Sequence, residues 1–493
     1  MLKQQSVAET APLATEGRVL VGDVGGTNCR LQLYTIPAGA CLFSGDRAPG
    51  KLVHEAQYLN GDYGSFDEIV KAFMGGREGG PPAAACLAVA GPVENNAVNF
   101  TNRNWVIDGA KLEATFGIGK VRLVNDFVAN GYGLLTLDES KECVTLQKAP
   151  KVVGAPIACV GAGTGLGECF STATDVGAPY ETYASEGGHG DWAPRSALEV
   201  ELHEFMKAKF EGKHRVSVER VISGPGLATM YEFFSTKFAD QVVPEVHAAI
   251  EAAGEMKGKV IATHSQLGNG LFCELCKLTM DTFASAYGAE AGVAALKFVP
   301  LGGLYIAGGL TPKNLSLLQG EDSLFMQAFR DKGRLSPLLR RVPVYAVLAE
   351  DIGQRGAHLV AFRLLIHAQE ELAAKAAREI VEFAATKHSM WAAKGSYKRT
   401  LCIGKTEILT KDPISGAVTN RWPTDAICTA TPVEGVVADE ARFVLKVASG
   451  GLLCGMGSDL TFSVPDVAQR NKILEMASLS PTAAASAYPV DVC

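Results

Sequence analysis

The sequence predicts an α/β protein whose two similar halves face one cleft, followed by a small β-rich domain. Three observations predict it. Short apolar strands alternate with helix-period segments over the first ~370 residues, a strand running into a glycine turn occurs near Val21 and again near Val160, and the texture changes to closely spaced strands after about Glu371. At 493 residues the chain is longer than one hydrophobic core usually serves, so several domains are expected.

The elements follow in order. Residues 1–17 contain Glu9 and Glu16, lack both a long apolar run and an arginine-rich face, and are read as a disordered tail rather than a targeting peptide. From Arg18 to Tyr34 an apolar strand, a glycine turn and a strand of alternating polarity form a β-hairpin. Further apolar strands are expected at Ala84–Ala90, Val121–Val124, Ile157–Val160 and Leu304–Ala307, with helices at Ser196–Phe210, Gly270–Lys297 and Gly356–Phe383. In the last part, strands are expected at Thr400–Ile403, Glu407–Leu409, Phe443–Val447 and Leu460–Val464, closed by a helix over Asp466–Met476 and a loose end over Ser478–Cys493.

Composition narrows the class. Hydrophobic residues at 47% and charged residues at 20% are those of a soluble globular protein. A net charge of −7 offers no basic footprint, which excludes nucleic acid as the expected partner. The 12 cysteines include one close pair, Cys273 and Cys276, inside an apolar stretch and without a second pair at metal spacing, so free thiols in a reducing compartment are expected and zinc is not. No apolar run reaches the ~18–20 residues of a membrane span, and Val490–Cys493 matches no lipidation signal. The expected location is the cytoplasm.

Four motifs carry chemistry. Asp23-Val24-Gly25-Gly26-Thr27 lies at the hairpin tip, where glycines let backbone N–H groups approach a phosphate, Thr27 adds a hydroxyl, and the Asp23 carboxylate suits a hydrated Mg²⁺; a plain glycine turn is the alternative. Gly161–Gly167 repeats this design with Thr164 as donor, and it is no Walker A loop because no lysine follows. A dinucleotide fold is the competing reading of that loop, but it requires a helix where Glu168–Ser171 stands. Asn125-Asp126 follows the strand Val121–Val124, so a carboxylate stands at a strand's carboxyl end, as a phosphoryl transferase needs for its base; capping of the next helix is the alternative. Glu186-Gly187-Gly188-His189 sets a carboxylate and an imidazole on a flexible backbone, a pairing suited to sugar hydroxyls and too small for a metal site.

Taken together these segments resemble the bacterial glucokinase family, within the sugar kinase, actin and chaperone ATPase superfamily. The resemblance runs from about Val19 to Leu359 and includes Val21–Asn28, Ala90–Val93, Thr101-Asn102, Asn125–Phe127, Gly161–Gly167, Glu186–His189, Val218–Leu227, Ile306–Gly309 and Gly356–Leu359. It implies a two-lobed, ribonuclease H-like fold of the actin-like ATPase type, with a small lobe at 18–136 to which 358–374 returns and a large lobe at 137–357; the β-rich extra domain is expected at 375–493. It implies ATP and glucose as substrates, Mg²⁺ as cofactor and a homodimer. It also implies roles. Asp126 would be the base for the 6-hydroxyl, and Asn102, Asn125, Glu186, His189 and Glu219 would hold the sugar. Asp23, Gly25, Gly26, Thr27, Asn28, Gly163, Thr164 and Gly165 would hold phosphates, Asp23 also Mg²⁺ through water, and Gly308 and Gly309 would lie against the adenosine. The segment Ala349–Arg355 departs from the family pattern, and everything after about Glu371 is outside it.

The extra domain resembles a pleckstrin-homology-type barrel, with its short strands, Trp422 and a closing helix. This implies a protein or lipid partner; Lys387, Lys394, Lys398 and Arg399 are too few and scattered for a phosphoinositide site, and a packing or oligomerisation appendage is the alternative. Other activities stay open at this stage: another hexose or amino sugar as acceptor, polyphosphate as donor, a non-catalytic sugar sensor, or a chaperone-like or cytoskeletal ATPase. The last would need no sugar clamp, and a sensor would need no base.

Overall fold

The computed structural model describes residues 9–478 apart from 44, 77–78, 101–102, 211–214, 269–270, 379–380, 389–395, 404–406, 424–426, 434–440 and 448–457. The chain divides into two compact units, Met1–Ala368 and Gln369–Cys493.

The first unit contains two sheets of the same design. Strands β1 (Gly17–Val24), β2 (Asn28–Ile36), β3 (Lys51–Leu59), β4 (Ala84–Val89) and β7 (Val121–Asn125) form a sheet in the order β3-β2-β1-β4-β7, with β5 (Ala97–Phe100) and β6 (Trp105–Asp108) as a separate hairpin. Its first three strands are antiparallel, and β1, β4 and β7 run parallel. Strands β8 (Cys143–Gln147), β9 (Ile157–Ala162), β10 (Leu166–Thr172), β11 (Glu181–Ser185), β12 (Gly303–Ala307) and β13 (Val344–Val347) form the second sheet, ordered β11-β10-β9-β12-β13-β8. Again three strands are antiparallel and β9, β12 and β13 are parallel. The strand leading into the first glycine loop therefore has its counterpart in the strand leading into the second.

The parallel strands read as continuous apolar runs because both their faces are covered. Alternate residues of β1 feed opposite cores: Leu20 and Val24 pack with Ile69, Phe73 and Leu112 on one side, while Val19 and Val21 pack with Val128, Tyr132 and Phe362 on the other. In β9, Ala158 and Val160 join the large core of Met230, Phe283 and Phe329, and Ile157 and Cys159 face Leu134 and Tyr305.

Two helices set the position of the cleft residues. Helix α1 (Asp126–Leu134) starts where β7 ends, and helix α2 (Ile352–Arg378) crosses it in backbone contact. A β-carbon on Gly356 would lie 1.7 Å from the Ala129 carbonyl oxygen, and one on Gly133 would lie 1.9 Å from that of Ile352. The crossing can form only with glycine at both places.

The second unit carries a wholly antiparallel seven-stranded sheet. Strands β14 (Val381–His388), β15 (Ser396–Ile403), β16 (Glu407–Lys411), β17 (Val418–Pro423), β18 (Ile427–Pro432), β19 (Ala441–Val447) and β20 (Ser458–Val464) stand in the order β17-β16-β15-β14-β20-β19-β18. Helix α3 (Val467–Ser478) adds Ile473 to a core of Phe383, Leu401, Ile408, Phe443, Leu445 and Phe462.

Three expectations are corrected here. The helix expected to reach Phe383 ends at Arg378, and Phe383 lies in β14, where Phe383 and Ala385 are buried while Glu382 and Ala384 are exposed; this two-residue period overrides the helical pattern before it. Strands β17 and β18 were not expected. Glu9–Glu16, read as part of a loose tail, is docked. Leu13 is buried, its N–H donates to the Ala40 carbonyl, and the Glu9 carboxylate meets Arg363 at 3.0 Å. Residues 1–8 and the end of the chain after Ser478 lie outside the described residues. Among the described residues no helix is long and apolar enough to cross a membrane.

Candidate active site

Asp126 is presented by the junction of β7 and α1. Asn125 has extended backbone, and its Oδ1 accepts from the N–H groups of Phe127 (2.9 Å) and Val128 (3.4 Å), which makes it the cap of α1. Its Nδ2 donates to the Gly91 carbonyl at 3.2 Å. Asparagine thus does the capping, and Asp126, which accepts one hydrogen bond from the Phe127 N–H at 2.9 Å, lines a cavity of about 360 Å³. Burial pushes its carboxyl up to about 6; the Phe127 N–H opposes this, and the Asp23 and Glu186 carboxylates add to it.

The same cavity brings together Asn125, Gly163, Thr164, Gly165, Glu186, His189, Glu219 and Gly308, residues spread over 180 positions in the sequence. Glu186 and His189 stand 3.8 Å apart on a one-turn segment closed by the hydrogen bond from the His189 N–H to the Glu186 carbonyl (3.0 Å), and both side chains are open to solvent. Glu219 Oε2 accepts from the Leu166 N–H at 3.1 Å and leaves no room for a β-carbon on Gly165, only 2.4 Å away. The Glu219 carboxylate therefore also shapes the second glycine loop.

Phe127, next to Asp126 in the chain, packs against that loop. Its ring lies over β9 and β10, where a β-carbon on Gly161 or Gly167 would come within 2.8 Å or 2.0 Å of it.

The first glycine loop lines a second cavity of about 430 Å³ with Asp23, Gly25, Gly26, Thr27 and Asn28, joined by Arg30, Gln57 and Gln354. Burial raises the Asp23 carboxyl, and Arg30, its partner in the β1–β2 register, pulls it down. Asp23 remains open to solvent on the cavity side, so it can still hold a hydrated ion.

Not every expected residue joins. Gly309 lines neither cavity, although Gly308 beside it does. Asn102 lies outside the described residues. The sequence reading passed over Arg30, Gln57 and Asn130, and it quoted Gly91, Phe127 and Gln354 within longer segments without giving them a role. Arg30 alone carried a signal, since it stands two residues beyond Asn28 and so on the same face of β2. Gln354 comes from more than 300 residues away and had none.

The arrangement can hold a polyol at Glu186, His189 and Glu219, present a carboxylate poised near neutrality to one hydroxyl, and offer backbone N–H groups to an anion on either side.

Residues 20–364 match the family model described as Glucokinase, and residues 382–475 match one described as DNAJ protein RME-8 N-terminal domain. The glucokinase of a Nostoc species is 38% identical over 353 residues, covering 70% of this chain and 99% of that protein. That of a Synechocystis species is 39% identical over 358 residues, covering 69% and 97%. The crystal structure of a glucokinase from an Antarctic psychrotroph superposes with a TM-score of 0.55 at 28% identity, covering 70% of this chain and 99% of that one. By the extent of these matches and the site they enclose, the chain belongs to the glucokinase family.

Proposed function

We propose that Asp126 is the general base of an ATP-dependent phosphorylation of glucose at its 6-hydroxyl. The activity goes with the family, whose model covers residues 20–364. The observation that carries the residue assignment is that one cavity holds Asp126 between the polyol-binding groups Glu186, His189 and Glu219 and the glycine loop Gly163–Gly165. As the 6-oxygen bonds to the γ-phosphorus and the bond to the bridging oxygen of ADP breaks, the hydroxyl proton passes to Asp126. A carboxyl raised to about 6 is still ionised at neutral pH and accepts that proton more readily than an ordinary aspartate.

Gly25, Gly26, Thr27 and Asn28 on one side and Gly163, Thr164 and Gly165 on the other supply donors for the phosphates, with Arg30 as the cation lining the first cavity. Gly308 would border the adenosine. Mg²⁺ fits the donor set, because a single aspartate acting through water beside phosphates is the usual company of this ion. Asp23 would hold it, and when bound it supplies charge neutralisation on the phosphates. Asn125 supports the reading as the cap that aims Asp126.

The test is release of ADP with ATP, Mg²⁺ and a panel of hexoses, on the full chain and on Asp126→Ala. Turnover that depends on glucose and is lost in the variant is expected; turnover that survives there overturns the base assignment. Preference for another hexose or an amino sugar would move the acceptor and leave the mechanism standing. A cytoplasmic location, a homodimer and a boundary near residue 375 belong to the same reading. The strand order of the second unit and its closing helix support a pleckstrin-homology-type barrel for residues 375–493.

A further inference from the structure

We propose that Asn60 and Arg103 are positioning residues that aim the backbone N–H groups of the first glycine loop at the phosphates. The inference rests on the reading of that loop as a phosphate site and adds two residues that no motif singled out. In a trans peptide the carbonyl and the following N–H point in opposite directions, so whatever holds one fixes the other. Three successive carbonyls of the loop are held. Asn60 Nδ2 donates to the Gly25 carbonyl at 2.8 Å, Arg103 Nε donates to the Gly26 carbonyl at 3.1 Å, and the Asn60 backbone N–H donates to the Thr27 carbonyl at 2.9 Å. The N–H groups of Gly26, Thr27 and Asn28 are thereby turned the other way, and all three residues line the 430 Å³ cavity that contains Asp23 and Arg30. Those of Gly26 and Thr27 make no hydrogen bond among the described residues.

Both residues are placed for this task and little else. Asn60 is fully buried, and its Oδ1 has no partner among the described residues, so the side chain is present for its amide N–H₂ at the cost of an orphaned acceptor. Arg103 follows the residues expected to border the sugar, and its guanidinium carbon lies 5.9 Å from the Trp105 ring centroid, which holds the side chain across the loop. Through Arg103, the segment that follows position 102 is fastened to the phosphate loop.

The experiment uses the full chain with Arg103→Met, which keeps the stem and removes the donor, Arg103→Lys, which restores one, and Asn60→Leu, which keeps the shape and removes the N–H₂ without adding a charge beside the phosphates. MgADP binding is measured by calorimetry, glucose binding by tryptophan fluorescence, and kcat and KM by ADP release. Loss of the charge-assisted bond in Arg103→Met, and of a buried neutral one in Asn60→Leu, predicts MgADP affinity at least about fivefold weaker in both, with a matching rise in KM for ATP, glucose affinity within about twofold of the parent, and Arg103→Lys nearer the parent. MgADP affinity within about twofold of the parent in both donor-less variants overturns the proposal, and so does a parallel loss of glucose affinity, which a merely structural role would cause. Failure of the parent chain to bind MgADP at all would instead overturn the phosphate-site reading itself.

Discussion

The ring of Phe127 occupies the space that a β-carbon on Gly167 would need; the two would be 2.0 Å apart. Phe127 is the neighbour of Asp126 in the chain, and Gly167 ends the second glycine loop. The contact therefore fixes the distance between the proposed base and the loop proposed to hold phosphate.

Gly167→Ala should move the Phe127 ring and Asp126 with it. A displacement of about 1 Å at a reacting group can cost on the order of 10²-fold, so kcat should fall at least tenfold while glucose still binds. Adding Phe127→Leu to Gly167→Ala should recover part of the loss. Steady-state ADP release on the single and double variants decides this, and an unimpaired Gly167→Ala would show the contact to be without consequence for the reaction.

Asp126→Ala should lower kcat by at least about 10²-fold with weakened but measurable glucose binding. In the parent chain the base must be ionised, so kcat/KM should hold above pH 6 and fall tenfold per unit of pH below it, because burial has raised the Asp126 carboxyl to about 6. A profile of kcat/KM from pH 4.5 to 9 checks the limb; an acid limb centred near pH 4 would argue that burial does not govern this group.

Glu168, next to Gly167, is a buried carboxyl that faces the carboxyl of Glu290. Burial pushes it up to about 8, with the Glu290 carboxylate adding to the effect and Lys297 opposing it. The folded state binds this proton more tightly than the unfolded state, so its contribution is intact below the ordinary carboxylate range and is lost as pH rises to about 8. The thermal midpoint of the parent chain should therefore drop between pH 5 and pH 9, and Glu168→Gln should flatten that drop. Thermal scans across the range test it, and parallel curves for the two proteins would remove Glu168 as the cause.

A chain ending at Arg378 should remain a folded kinase. Its last helix completes the core with Phe362, Leu365 and Ile366, all before the second unit begins, and the second unit has its own core around Phe383, Phe443 and Phe462. Turnover within about twofold of the full chain is the expected result for separate cores. Insolubility of the shortened protein would show that the first unit depends on residues beyond 378.

Much of the site was legible because its chemistry is local. A glycine loop after an apolar strand, or a carboxylate one residue past a strand end, is a feature of a few adjacent positions, so Asp23–Thr27, Gly161–Gly167 and Asp126 stood out. The reading was weaker where local patterns compete. Asn125-Asp126 reads both as a capping sequence and as a catalytic one, and only the bonds from Phe127 and Val128 assign the cap to Asn125. Phe383 continues an apolar pattern from the helix before it, yet it belongs to a strand whose partner, Leu401, lies 18 residues on.

By itself the sequence determined the α/β class, the pair of glycine loops and a carboxylate at the end of a strand, because strand period, glycine turns and residue chemistry are properties of neighbours along the chain. Only the tertiary structure decided which distant groups complete the site. Asn60 and Arg103 behind the first loop, Gln354 at the rim of its cavity, Phe127 against Gly167, and Gly133 against Ile352 are contacts between segments far apart in the chain. Such contacts arise when sheets and helices pack at close range, and nothing in the spacing of residues along one segment records which surface of another it will meet.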